Sequence, residues 1–220
     1  MPLNIGIPEL ENIWQAIDYE VTWLHGRWLI YRQIFGTNEQ RVEILNKTAG
    51  TFAKVLQDIL LDDVQMGLAK LGDPAVSYVR KQPIENLTIE NFFKSISEKG
   101  IVIEELPQLL IDYKAACALA RERRNKRIAH FDLKEMTLSK ENIFGPSRLE
   151  IEKALECLRK IMNSISLHFN GEAKAYDLIS LNSDGNSLVY MLKSGLRYRE
   201  LVSSGEIPHD DLRMSKWYNA

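Results

Sequence analysis

The first segment of the chain repeats large apolar residues at alternating intervals of four and three. The series consists of Leu10, Trp14, Ile17, Val21, Leu24, Trp28, Tyr31 and Phe35. Because these intervals return to the same face of an α-helix, the series predicts one long helix with a continuous buried stripe. Pro8, close to the start of the series, suits the first turn of such a helix.

Three later segments repeat this pattern and predict three more long helices. One runs from about residue 38 to residue 71, with the stripe Leu45, Ala49, Phe52, Leu56 and Ile59. The next has Pro107 in its first turn, with the stripe Leu106, Leu110, Tyr113, Cys117 and Ala120. The last starts at the capping-box spacing Ser147–Glu150 and carries Ile151, Leu155, Leu158, Met162, Ile165 and Phe169.

Shorter helices complete the predicted architecture. Thr88 is expected to cap one of them, and residues 188–202 indicate a final helix. No segment shows a convincing strand alternation, although residues 173–181 are ambiguous. The fold class is therefore predicted to be all-α, an antiparallel bundle of four long helices with additional short helices. We expect residues 1–170 to form the bundle and residues 171–220 to form a helical carboxy-terminal extension packed on it.

The composition is typical of a globular protein in a reducing compartment. The 220 residues are 45% hydrophobic and 26% charged, with a net charge of −2. No apolar run approaches the roughly 20 residues of a membrane span, and the amino-terminal stretch lacks the features of a signal peptide. The two cysteines, Cys117 and Cys157, stand singly inside helical patterns and predict neither a disulfide nor a metal site. We therefore expect a cytoplasmic protein with no cofactor, no metal and no membrane partner.

A basic run from Arg121 to Arg127, interrupted only by Glu122, is followed closely by His130. In a chain of net negative charge, such a run requires an anionic ligand or buried acids nearby. Arginine binds phosphate through a bidentate fork, and histidine transfers protons near neutral pH. The run therefore predicts either a site that binds or cleaves RNA, or a structural cluster of ion pairs.

Charged residues interrupt two of the predicted stripes. Arg124 is the next member of the stripe that passes through Cys117 and Ala120, and Asp63 follows Leu56 and Ile59. A charge on a buried stripe needs a partner, because an unpaired buried ion costs several kcal/mol. One interpretation is a structural salt bridge from Arg124 to Asp62 or Asp63, with Asp63 substantially buried. The alternative is that Arg124 faces a cleft or a second subunit.

Helical geometry limits which arginine can lie beside His130. At 100° per residue, Arg123 is about 20° from His130 around a continuous helix, Arg127 about 60° and Arg124 about 120°. A continuous helix therefore favours Arg123 or Arg127 as the neighbour. Arg124 reaches His130 only through a bend near Ile128 or from a partner subunit.

The motif and its surroundings resemble the HEPN (higher eukaryotes and prokaryotes nucleotide-binding) superfamily, whose members are all-helical. That superfamily carries an arginine, often followed by a polar residue, with four to six residues before a histidine; Arg124-Asn125 with His130 fits this pattern, and Arg123 is the other candidate arginine. The stretches at residues 30–36, 41–46, 59–64 and 124–132 resemble the AbiU-like branch of abortive-infection HEPN proteins, over roughly residues 10–170.

The resemblance implies a metal-independent endoribonuclease of antiphage or toxin type that works as a homodimer, with a composite site built from two motifs. His130 would act as general acid or base, Arg124 would hold the phosphate, and Asn125 would orient the site. Arg123, Lys126 and Arg127 would contact the RNA backbone. Asp63 and Asp132 are supporting candidates, and an antitoxin or defence-system partner is a further expectation.

Two other functions fit the same residues. The chain could be a catalytically inert HEPN module that binds RNA or a nucleotide, or a helical protein-interaction domain whose basic run is structural. His25 lies beside the stripe residues Leu24 and Trp28 and is interpreted as a packing histidine. His209 with Asp210 and Asp211 would be a poor metal cluster, for which solvation is the better interpretation.

Overall fold

The computed structural model describes residues 2–128 and 145–211, with only the backbone of Arg127. Over these ranges the elements are α1 (Pro8–Tyr31), a first π-helical turn (Arg32–Gly36), α2 (Glu39–Leu71), β1 (Val76–Val79), β2 (Gln82–Glu85), α3 (Ile89–Glu98), α4 (Leu106–Ala116), α5 (Ala118–Arg123), a second π-helical turn (Arg124–Ile128), α6 (Arg148–Asn170), a 3₁₀ turn (Tyr176–Leu178) and α7 (Gly185–Ser203). The all-α fold class is confirmed, since the one sheet in these ranges is a two-stranded hairpin. The antiparallel four-helix arrangement stays a prediction.

The residues predicted to begin and end helices do so in the structure. Ser147 and Glu150 form a reciprocal capping box at the start of α6, with Glu150 Oε2 accepting from the Ser147 N–H at 2.7 Å. Thr88 caps α3 by accepting from the Asn91 N–H at 3.1 Å. Gly171 ends α6 with a φ of 69°, a left-handed conformation that glycine adopts without strain. The final predicted helix is also confirmed, as α7.

The chain divides into two compact units, Met1–Leu29 with Ile59–Ser180 and Ile30–Asp58 with Leu181–Ala220. In the first unit, the Trp14 and Phe92 rings lie 5.7 Å apart and α4 packs on α6. The Tyr113 hydroxyl donates to the Leu68 carbonyl oxygen at 2.8 Å, which ties α4 to the end of α2. The boundary expected at residue 170 remains a prediction.

The second unit is organised by the start of α7. Asp184 caps α7 by accepting from the backbone N–H groups of Asn186 and Ser187. Gln33 donates to the Asp184 carboxylate at 2.6 Å and accepts from the Gly185 N–H at 3.0 Å. Arg41 adds a bond to the Asn186 side chain at 2.8 Å. These polar contacts fasten the first π-helical turn and α2 to α7.

The predicted stripe of α1 is buried throughout, whereas that of α2 is wrong beyond Leu45. Phe52 is 64% exposed and Ile59 is 59% exposed. The reason is a kink at Ala49, whose φ of −150° and ψ of 53° are not helical and shift the phase of the following turns. After the kink the buried residues of α2 are Ala53, Val64, Gln65, Leu68, Ala69 and Leu71. The observed stripe is therefore displaced by one residue from the predicted one.

The β1–β2 hairpin was not predicted. Its strands pair in the register Val76 with Glu85 through Val79 with Gln82, so Arg80 and Lys81 form a two-residue turn. Both turn residues have positive φ, 50° and 69°, which is the signature of a type I′ turn. That turn normally carries Asn-Gly, so the sequence gives no hairpin signal here.

The long helix predicted to start near Pro107 is also interrupted. Cys117, with a ψ of 0°, separates α4 from α5, and the second π-helical turn follows directly. The predicted stripe survives this break, since Leu106, Tyr113, Cys117 and Ala120 are all buried. Within the described residues, none of the helices is long and apolar enough to cross a membrane.

Candidate functional site

Asp73 brings together two arginines of the basic run. Its carboxylate accepts a hydrogen bond from Arg124 Nη1 through Oδ2, and its Oδ1 lies 3.7 Å from Arg121 Nε. Arg121 Nη2 donates to the carbonyl oxygen of Gly72, the residue next to Asp73. The Arg124 side chain is 16% exposed and that of Asp73 is 25% exposed. The end of α2 therefore holds the start of the motif through a partly buried ion-pair cluster.

Gly72 allows this close approach. A Cβ at this position would lie 3.3 Å from Tyr113 Cε1 and 3.5 Å from Arg121 Nη2. From the sequence, the helix was predicted only to end near residue 71, with no role for the residues that follow. The carboxylate of Asp73 was therefore missed, although an acid directly after a long helix is a visible signal.

Arg124 and Asn125 open the second π-helical turn. Hydrogen bonds in a π turn run from residue i to residue i+5, and such turns are frequent at functional sites. The angular offsets calculated for a continuous α-helix do not hold through this turn. Arg124 Nε donates to Asn125 Oδ1 at 3.0 Å, so the two residues expected to act together are in contact.

The predicted pairing of Arg124 with Asp62 or Asp63 is wrong. Asp62 instead accepts from Arg123, at 2.8 Å from Nη2 and 3.2 Å from Nε. Asp63 binds Arg27 Nη1 at 2.7 Å and its side chain is 42% exposed, so it is not substantially buried. Asp63 therefore pairs with α1, and Asp73, two residues beyond the end of α2, is the acid that meets Arg124.

The remaining motif residues are only partly described. Lys126 Nζ lies 2.9 Å from Glu122 Oε1, and the two residues are four positions apart, about one helical turn. The Arg127 side chain, His130 and Asp132 lie outside the described residues. Their predicted roles therefore stay predictions.

Gly145 packs against the start of the motif. A Cβ there would overlap Gln65 Oε1 and would lie 2.6 Å from Arg123 Cδ. Gln65 itself is 3% exposed, and its Oε1 accepts no hydrogen bond from the described residues. Gly145 therefore lies close to both Gln65 of α2 and the Arg123 side chain.

The acidic side chains of this cluster hold the arginines of the basic run in place. Asp73 holds two cations of the basic run, and Asp62 and Glu122 hold one each. The described hydrogen bonds of Arg124 use Nε and Nη1, whereas its Nη2 edge makes none with a described residue. Because Nε and Nη1 are both engaged, neither two-donor edge of the guanidinium is wholly free, and Nη2 is the donor left to meet a phosphate oxygen in a fixed orientation.

His25 is a packing histidine, as predicted. It is 4% exposed and its ring lies 5.9 Å from that of Tyr176. Burial, with a smaller contribution from Arg159, lowers its pKa to about 4. It is therefore neutral near pH 7.

The cysteines and the described acids give no sign of a metal centre. Cys117 and Cys157 are free thiols, and burial raises the pKa of Cys117 to about 12. Within residues 2–128 and 145–211, no group of three histidine, cysteine or acidic side chains could hold a metal ion.

Comparison with known families gives one match. A family model described as AbiU2, within the HEPN group, matches residues 7–187. This range includes the whole basic run and its acidic partners. No curated protein and no solved structure matches the chain significantly.

Proposed function

Because the chain belongs to the AbiU2 family of abortive-infection-type HEPN modules, we propose that it is a metal-independent endoribonuclease that acts as a homodimer. The observation that carries the proposal is the placement of Arg124. Its side chain is 16% exposed, held by Asp73 and Asn125, and keeps Nη2 without a bond to a described residue. Preorganised donors of this kind stabilise charge that develops in a transition state.

The proposed reaction needs no cofactor. The 2′-oxygen of one ribose attacks the adjacent phosphorus while its proton passes to a base. The bond from phosphorus to the 5′-oxygen breaks, and that oxygen takes up a proton. His130 serves as the acid or the base, and Arg124 holds the non-bridging phosphate oxygens. The products are a 2′,3′-cyclic phosphate and a 5′-hydroxyl.

Exposed apolar side chains support the homodimer. Tyr19 and Trp23 on α1 are 62% and 42% exposed and contact each other edge to face at 6.4 Å. On α2, Phe52 and Val55 are 64% and 52% exposed and three residues apart, on one side of the helix. Apolar side chains grouped on a surface commonly mark protein interfaces. A second copy that packs on either pair would bury it and bring a second motif.

An inert module is the second candidate, and the ion pairs favour it. Acids of the same unit hold four cations of the basic run, Arg121, Arg123, Arg124 and Lys126. If these contacts persist when RNA is present, the basic run stabilises the fold and makes no phosphate contact. The chain would then act by binding or assembly without cleavage.

Cleavage of single-stranded RNA by the purified protein in excess chelator separates these functions. We expect cyclic phosphate products, with activity reduced by about 10²–10⁴-fold in His130→Ala and about 10²–10³-fold in Arg124→Gln. Lys99→Gln, an exposed cation at the end of α3, is the matched control and should retain full activity. Binding without cleavage would support the inert module, and neither activity would support a purely structural basic run.

A further inference from the structure

The β1–β2 hairpin combines cations, an exposed aromatic ring and a strained turn. Tyr78 is 74% exposed and Val79 is 53% exposed, and every residue of β2 is exposed. Arg80 and Lys81 at the tip make no ion pair with any residue of the described ranges. A two-stranded hairpin that buries so little contributes little to the core of its unit.

The turn itself is conformationally costly. Non-glycine residues with positive φ are uncommon, and asparagine or glycine would adopt the same conformation with less strain. Two long cations therefore occupy positions, with φ of 50° and 69°, that local stability does not favour. Strained backbone of this kind is typically found at functional sites.

The hairpin begins next to the arginine cluster. Asp73 binds Arg124, and β1 starts three residues later at Val76, a span of at most about 11 Å along the chain. Asn86 closes the base of the hairpin, because its N–H donates to Ala75 at 2.8 Å and its side chain donates to Pro74 at 2.9 Å. The base of the ribbon is thus fixed close to the carboxylate that positions Arg124.

We propose that this hairpin is a binding element for single-stranded RNA, an inference that rests on the ribonuclease function proposed above. Arg80 and Lys81 pair with backbone phosphates, and the Tyr78 ring stacks on an unpaired base. Stacking on a side chain requires bases that are splayed out, so the preferred substrate is single-stranded RNA rather than a duplex. A second protein chain fits less well, because Pro83 removes a backbone donor from β2 and so disfavours pairing with an added strand.

A turn replacement tests the cations without damaging the hairpin. The double substitution Arg80→Asn with Lys81→Gly removes both charges and introduces the preferred type I′ turn. Its binding should be measured by fluorescence anisotropy with a labelled single-stranded RNA that carries 2′-O-methyl riboses, which lack the nucleophile and cannot be cleaved. We expect Kd to rise about tenfold or more. The plot of the logarithm of the binding constant against the logarithm of the salt concentration should become less steep by about 1.4, because each of the two lost phosphate contacts on a single strand contributes about 0.7 to its slope. The melting temperature should be unchanged or higher.

Substitutions of Tyr78 test the stacking separately. Tyr78→Ala should raise Kd by about fivefold or more, whereas Tyr78→Phe should retain wild-type affinity, because the ring supplies the stacking energy. Annealing the RNA to its complement should weaken wild-type binding and remove the effect of Tyr78→Ala. Lys99→Gln removes one exposed charge at the end of α3. In a protein that carries this substitution, Tyr78→Ala should raise Kd by the same factor as it does in the wild-type background.

The outcomes distinguish this inference from the proposed function. If the wild-type protein cleaves RNA and the turn variant binds with the same affinity and salt slope, the hairpin inference is overturned and the ribonuclease function stands. A turn variant with unchanged RNA affinity but altered self-association would assign the hairpin to a protein contact, which also overturns it. Wild-type protein with no affinity for RNA would overturn both.

Discussion

The ion pair between Asp73 and Arg124 should couple more strongly than an exposed pair. Their side chains are 25% and 16% exposed, so the pair is intermediate between a surface salt bridge and a fully buried one. Surface pairs contribute about 0–1 kcal/mol, whereas breaking a buried pair costs about 3–5 kcal/mol. We therefore expect a coupling free energy of about 1–3 kcal/mol. For a chain of this size, each kcal/mol lowers the melting temperature by about 2–4 °C.

A double-mutant cycle measures this coupling. Asp73→Asn and Arg124→Gln remove one charge each with little change in volume, and the double variant removes both. The free energy of unfolding should be obtained from urea titrations followed by circular dichroism at one protein concentration. The matched control is Lys54 with Asp58, whose side chains are 69% and 56% exposed and four residues apart. That pair should couple by less than about 0.5 kcal/mol. A coupling for Asp73 and Arg124 no larger than the control would refute the role assigned to Asp73.

Four further outcomes are expected. RNA affinity should weaken more in Arg127→Ala than in His130→Ala, because only the former removes a phosphate-pairing charge; equal losses in binding assays would contradict this. Burial lowers the pKa of His25 to about 4, so the unfolded chain takes up the proton at a higher pH than the folded protein does. The free energy of unfolding should therefore fall by up to about 3 kcal/mol as the pH drops from 6.5 to 4. His25→Leu should reduce this dependence of stability on pH. Phe52→Glu, at a side chain 64% exposed, should convert the proposed dimer to a monomer in light scattering with little change in melting temperature. Gly145→Ala should destabilise the fold by about 1–3 kcal/mol in urea titrations, whereas Gly195→Ala, where a Cβ meets nothing within 4 Å, should not.

Local patterns predicted the helices well because their causes are local. The stripe of α1, the capping box at Ser147 and the cap at Thr88 each depend on residues a few positions apart. The stripe of α2 failed because Ala49 is not helical and interrupts the period, and the adjacent Gly50 was not interpreted as a sign of a break. Apolar periodicity predicts the buried face of a helix only as far as the helix stays regular.

The candidate site shows the same limit over longer distances. The sequence indicated that Arg124 needs an acidic partner, and this is correct. Which acid it meets depends on the phase of α2 and on the π turn, so Asp62 and Asp63 were chosen in place of Asp73. The hairpin was invisible because Arg80 and Lys81 occupy a turn that normally requires asparagine and glycine.

The contact at Gly145 constrains how relatives of this protein can differ. Any residue with a side chain at this position would displace Gln65 or Arg123, so substitution should be rare among relatives that keep both. A glycine at this position should therefore precede the capping box of α6 in those relatives. An alignment of relatives in which position 145 varies freely beside an unchanged Gln65 would mean that this junction does not limit sequence divergence.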